Sequence, residues 1–291
     1  MADPLVSVIV PHYQDLAGLN RCLASLCAQS YPRDNCELIV ADNNSPIGRT
    51  AVEEAIAGRA RLVIATTKGA GPARNCGVSH AKGTLLAFID SDCVAEPTWL
   101  QKGLAALKNY DFAGGKVEVH VTHDHAMSGA EAFESVFAFN NKRYIEQENF
   151  TITASLFCTR ELFDDVGPFL VGVSEDKEWC HRAIGKGYRL GYCPEAIVGH
   201  PARKSWPDLK HKWRRIISES YSLSCQQEFG RVRWLMRSWL VPVSIIPHSW
   251  VILRSNTLTN WRDRLAAIST LVRLRLWRFV EAHVLLFNRS A

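Results

Sequence analysis

The sequence predicts an α/β protein: a mostly parallel, doubly wound sheet followed by a basic helical extension. Three observations carry that expectation. Short apolar runs rich in β-branched residues, LVSVIVP (5–11), ELIVAD (37–42), RLVIA (61–65) and LLAFID (85–90), lack the alternation of strands with one wet face. Helical patterns lie between them, which calls for right-handed crossovers and parallel strands. Residues 201–291 then carry 16 of the 34 Lys and Arg but only 5 of the 29 Asp and Glu, a balance of +11 against −6 for residues 1–200. Seven of the nine Trp also fall in that last stretch.

The elements follow in order. After the first strand, Leu16, Leu19, Leu23, Leu26 and Cys27 form one helical stripe. The second strand ends in Asp42-Asn43-Asn44-Ser45. GPARNCGVSHAKG (71–83) reads as a helix opened by Pro72 and stopped by Gly83. LLAFID leads into Asp90-Ser91-Asp92. Ligands of doubly wound sheets bind at the carboxyl ends of the strands. Pro11-His12-Tyr13, Asp42–Ser45 and Asp90–Asp92 are therefore expected to face one crevice. Beyond Cys93, residues 111–121 read as a strand, 129–146 as one amphipathic helix and 151–160 as extended. Residues 174–185 read as a helix whose Ser174 caps it, and 188–200 as a final strand-like run. With no repeat and no low-complexity linker, one globular domain is expected over 1–200 and a helical tail over 201–291.

Composition narrows the class. A chain of 291 residues with 47% hydrophobic and 22% charged residues has the makings of a packed core rather than of a disordered chain. Nine cysteines without a C-x-x-C pair indicate neither a zinc knuckle nor a disulfide framework, and read as small buried hydrophobes in a reducing compartment. MADPLVSVIVPHYQD lacks the basic start of a signal peptide. No GxxxxGK[ST] is present, which argues against a P-loop nucleotidase.

Two carboxylates one residue apart at the end of a buried strand repel unless something positive sits between them. An oxygen-loving divalent cation, Mg²⁺ or Mn²⁺, is one answer, with phosphates completing its shell. A solvated turn is the other, and D-x-D alone does not choose. HVTHDH (120–125) has the look of a metal cluster but reads better as a solvated loop. His12, His120, His123 and His125 receive no role.

SVIVPHYQ, ELIVADNNS, GPARNCGVSHAKGTLLAFIDSD and SEDKEWCHR, in that order over roughly residues 5–200, resemble the inverting glycosyltransferases of family 2, with the GT-A fold, of the bacterial polysaccharide or glycolipid type. The resemblance implies a nucleotide-sugar-binding and catalytic domain over 1–200. It also implies a nucleotide-sugar donor, usually a UDP-sugar, and Mn²⁺ or Mg²⁺. On matching positions it puts the nucleobase near Pro11, Tyr13 and Asp42, Arg74 on the nucleotide, Asp90 on the ribose and Asp92 on the metal. Relatives use a His in the region of His200 as a further metal or diphosphate ligand. The ED pair would make Asp176 the base that takes the acceptor hydroxyl's proton, with Glu175 orienting the acceptor or tuning the base. Plainer readings stand beside these: Asp42 as a helix cap, Arg74 in a surface salt bridge, first-turn acids complementing a helix dipole, and His200 as an ordinary loop histidine. Two other functions remain open, a nucleotide-sugar- or glycan-binding protein without turnover and a nucleotidyltransferase.

The tail bears on partners. WLVPVSIIPHSWVIL (239–253) is apolar, but short of the about 20 residues of a span, and Pro242 and Pro247 interrupt it. Its Trp and Arg suit the surface of an anionic membrane, with a packing or homodimer helix pair as the alternative; no nucleic-acid motif accompanies the Arg. A peripheral protein at the inner face of the cell membrane is expected, with a saccharide or lipid-linked saccharide acceptor. Processive relatives carry Q-x-x-R-W, whereas KHKWRR (210–215) has another order, which favours single-sugar addition.

Overall fold

A computed structural model describes residues 5–121, 126–225 and 227–287. His123 and His125 lie outside these residues. The chain divides into two compact units, one within 1–118 and 140–200 and the other within 119–139 and 201–291.

The first unit is built on a mixed sheet. Its strands are β1 (Val6–His12), β2 (Cys36–Asp42), β3 (Arg61–Ile64), β4 (Leu85–Phe88), β5 (Val94–Ala95), β6 (Phe112–His120), β7 (Leu156–Thr159) and β8 (Leu190–Pro201). The order is β3-β2-β1-β4-β7-β6-β8-β5. β3, β2, β1 and β4 run parallel, and β7 adds antiparallel to β4 and β6 to β7. Every residue of β1 is buried, as a strand flanked on both sides and covered on both faces must be. The carboxyl ends of β1, β2 and β4 share one edge, so the three polar clusters do meet there.

Helices α1 (Leu16–Cys27), α2 (Arg49–Ile56), α3 (Ala70–His80) and α4 (Trp99–Ala106) accompany the parallel half. Asp15 caps α1 by accepting from the Gly18 amide. α3 lies close on the sheet because Gly77 has no side chain: a Cβ there would stand 2.6 Å from Ile9 Cγ2. The expected helix over 129–146 is two, α5 (Gly129–Phe137) and α6 (Asn141–Glu148). Asn140 makes the break, leaving the helical region and accepting from the Arg143 amide as the N-cap of α6. α7 (Arg160–Val166) and α8 (Glu175–Gly185) complete this unit. Phe88, Phe112, Phe163, Phe169 and Trp179 form one aromatic cluster, and the Trp179 indole donates to the Gly167 carbonyl at 2.9 Å. That anchor seats the first turn of α8.

The second unit is helical, joining α5 to α9 (Trp206–Cys225), α10 (Gly230–Val243), α11 (Ile245–Arg254) and α12 (Trp261–Phe287). Phe133, Leu209, Ile252, Leu258, Leu271 and Leu274 form its core. Ser128 and Glu131 make a reciprocal capping box at the start of α5. Buried Glu134 pairs with Lys212 at 2.9 Å and Arg203 at 3.1 Å. Burial alone would raise its carboxyl, but the two cations outweigh that and hold it below its ordinary range. The apolar stretch 239–253 is split at Ser244, after Pro242 and before Pro247. Among the described residues no helix is long and apolar enough to cross a membrane. All nine cysteines are free, and five are buried.

Candidate active site

At the end of β2, Asp42 is 2% exposed and fully engaged. One oxygen lies 2.7 Å from His12 Nδ1 and accepts from the Ser45 hydroxyl at 2.6 Å; the other accepts from the Ser45 amide at 2.8 Å. Asp42 is not a helix cap, since α2 opens at Gly48 without a side-chain capping bond; it closes its own turn onto Ser45, and His12, given no role from sequence, is its partner. Pro11 is buried within β1, while Tyr13 stands just past its end, 52% exposed. Asn43 pins the neighbouring loop, donating to the Thr67 carbonyl at 2.7 Å and accepting from the Gly69 amide at 2.8 Å. Gly69 has φ +127°, a conformation a side chain would resist, and it opens α3.

One turn into α3 sits Arg74, 4% exposed. Its guanidinium donates to Asp90 at 2.6 Å and to Glu175 at 3.1 Å. This is a salt bridge, but not a surface one. It ties the end of β4 to the first turn of α8 and supplies a positive partner for Asp90. Asp176 lies beside the pair and accepts from the Thr153 hydroxyl at 2.8 Å. Burial pushes its carboxyl up to about 6; Arg74 pulls the other way, and the charges of Glu175 and Asp90 add to the rise. The residue as a whole is half-buried. Ser174 occupies the cap position of α8, yet its side chain makes no capping bond, which corrects the expectation of a capping serine. Thr153 had no signal in sequence beyond its place in an extended run, since its role depends on a residue 23 positions away.

Asp92 lies with its carboxylate 3.6 Å from His200 Nε2, at the far end of β8. Two atoms that far apart can share one cation with ligand bonds of about 2.0–2.2 Å, and carboxylate with neutral imidazole is a sound donor set for a divalent metal. Cys93 Sγ is also within reach. A thiol is a soft ligand, however, and suits Mg²⁺ or Mn²⁺ less well than carboxylate or imidazole. Asp92 and His200 are the pair that fits the metal. His120 is exposed on β6 and takes no part.

Comparison with known proteins bears on the family and the fold. The sequence profile described as Glycosyl transferase family 2 matches residues 7–167, more than half the chain. Glycosyltransferase AglE of Haloferax volcanii is 32% identical over 220 residues, covering 72% of this chain and 71% of that protein. The chain is also similar to UDP-Glc:alpha-D-GlcNAc-diphosphoundecaprenol beta-1,3-glucosyltransferase WfgD of Escherichia coli, 33% identical over 123 residues, or 41% of this chain and 48% of that one. In fold it resembles the mannosyltransferase PcManGT from Pyrobaculum calidifontis, solved with GDP-Man and Mn²⁺, at a TM-score of 0.63 and 17% identity over 100% of this chain and 89% of that one. The chain belongs to glycosyl transferase family 2, with the GT-A fold and a helical C-terminal part.

Proposed function

We propose that this family 2 glycosyltransferase is a metal-dependent, inverting enzyme. It moves one sugar from a nucleoside diphosphate sugar, a UDP-sugar first among them, to a hydroxyl of a saccharide or lipid-linked saccharide. The observation that carries the reading is Asp176: a half-buried residue, its carboxyl raised to about 6 and held by Thr153, beside the Arg74–Asp90–Glu175 cluster.

In a single displacement the acceptor oxygen attacks the anomeric carbon while the bond to the diphosphate oxygen breaks. Asp176 takes the hydroxyl proton, so no covalent intermediate is needed and configuration inverts. A base near 6 is ionised at neutral pH and still basic enough to pull on that proton. Glu175, fixed by Arg74, orients the acceptor or tunes Asp176. Asp92 and His200 would hold a divalent cation, Mn²⁺ or Mg²⁺, which when bound offsets the charge growing on the departing diphosphate. Tyr13 offers an exposed aromatic face to the base. Asp42 has both oxygens engaged, so a contact from it to the base would rearrange the His12–Asp42–Ser45 cluster. Arg74 and Asp90 would meet the nucleotide from their mutual ion pair.

The basic, Trp-bearing second unit supports a place at the inner, cytoplasmic face of the cell membrane. WfgD's own name puts its acceptor on diphosphoundecaprenol, which favours a lipid-linked acceptor here.

Calorimetric titration with UDP, GDP and ADP, each with and without Mn²⁺, tests the donor side. Metal-dependent binding of one diphosphate is expected; binding of none would leave a protein that keeps the fold without a nucleotide-sugar site.

A further inference from the structure

The helical unit holds a cavity of about 210 Å³ among α9, α10 and α12. Ile217, Trp234, Val241 and Ala282 make its apolar wall, with Ser220 and Ser238 among them. Arg278 also lines it, and its guanidinium lies 4.1 Å over the Trp213 ring. Arg278 Nε is buried without a hydrogen-bond acceptor among the described residues, and so are Arg275 Nε and Trp213 Nε1 of the same helical unit, which do not line the cavity themselves. Buried donors without acceptors are rare in a finished fold. Among the described residues no ion pair reaches Arg278 or Arg275, and Glu281, one turn on, is held by Arg214 at 2.8 Å. Burial, and then the charge of Arg275, push the Arg278 guanidinium below its ordinary range. A guanidinium does not give up its proton in a protein, so this cation has no anionic partner among the described residues.

The exterior of the helical unit is unusual as well. Among the described residues, sixteen of the 21 large hydrophobics that stand exposed belong to this unit, among them Trp239, Leu240, Val243, Ile246 and Trp250. An apolar exterior beside an anion-deficient interior matches an amphiphile with a negative head.

We propose that this cavity binds the phosphate group of an anionic lipid, with Arg278 as its principal donor. A phosphate fits the volume and can accept from the guanidinium through charge-assisted bonds. The exposed apolar residues then meet acyl or prenyl chains rather than water. Binding stands independently of glycosyl transfer; only the lipid's use as acceptor carrier rests on that reading.

The test is co-sedimentation of the full chain with phosphatidylcholine vesicles, with and without a minor fraction of phosphatidate. Wild type is expected to prefer the phosphatidate vesicles. Arg278→Gln should lose on the order of tenfold or more, against roughly fivefold or less for Arg262→Gln, the loss of one generic surface cation. Ser238→Leu, which fills the cavity and keeps every charge, should lose as much as Arg278→Gln, with thermal melting of each variant as the control for folding. Equal losses in Arg278→Gln and Arg262→Gln, or full binding by Ser238→Leu, would overturn the site. So would a protein that stays off all vesicles yet sediments as a dimer, because the apolar faces would then cover each other. If inorganic phosphate shifts the Trp fluorescence through Arg278 while vesicles do not bind, the lipid proposal likewise fails. Asp92→Asn should keep vesicle binding while losing the donor, which separates failure here from failure of the proposed reaction.

Discussion

Two arginines are sunk in this molecule under opposite terms. Arg74, in the α/β unit, has two carboxylates within 3.1 Å. Arg278, in the helical unit, has a Trp ring and, among the described residues, no acid. The contrast extends to the two units: among the described residues the α/β unit contributes five of the 21 exposed large hydrophobics and the helical unit the other sixteen. A buried charge without a partner and apolar surface left in water are both unfavourable. The α/β unit has orphaned buried atoms too, His12 Nε2 and Arg74 Nε, but they lie at its ligand edge, whereas the helical unit combines its own with most of the exposed apolar residues described.

The largest effect should come from the base of the α/β unit. Asp176→Asn is expected to lower transfer about a hundredfold to ten-thousandfold while leaving donor binding intact, measured as product formation beside calorimetry. The same change should raise the melting temperature. A carboxyl whose folded value exceeds its ordinary one contributes stability at low pH that is lost as pH rises through about 6, so removing its charge helps above that point. Full transfer by the variant would remove Asp176 as base and favour the binding-only alternative.

The arginine contrast itself can be broken next. Arg74→Met should cost about 3–5 kcal/mol in chemical unfolding, because it strands Asp90 and Glu175. Arg278→Met, in the absence of lipid, should stay within about 1 kcal/mol of wild type, because the loss of its Trp contact is offset by the relief of an unanswered charge. Comparable costs at both sites would erase the distinction.

A pH profile sharpens the picture further. Turnover should rise with pH through about 6 as Asp176 ionises, and a flat profile there would mean that another group accepts the proton. The smallest effect concerns two helix starts. Ser128→Ala, breaking a capping box in the helical unit, should cost about 1 kcal/mol, while Ser174→Ala, which has no capping bond, should cost under about 0.5. Thermal melts of the two variants compare them directly.

Much of this was legible in the residues alone. The four parallel strands announced themselves because buried parallel strands are unbroken apolar runs, and their polar ends had to share an edge once the crossovers were right-handed. Asp90, Asp92, Glu175 and Asp176 were identifiable through the resemblance to family 2, because a D-x-D at a strand end can be a solvated turn and acids at a helix start are favourable in themselves. The break at Asn140 was hidden, since the apolar period continues across it and only a cap bond marks the new helix.

What tertiary structure decided was partnership. That Arg74 answers Asp90 and Glu175, that Thr153 holds Asp176, that His12 occupies Asp42 and that Arg278 stacks on Trp213 all depend on residues far apart in the chain. Local pattern reports how a segment folds. Whether a charge is satisfied depends on what the fold carries to within 3 Å of it, and that distance is not written along the chain.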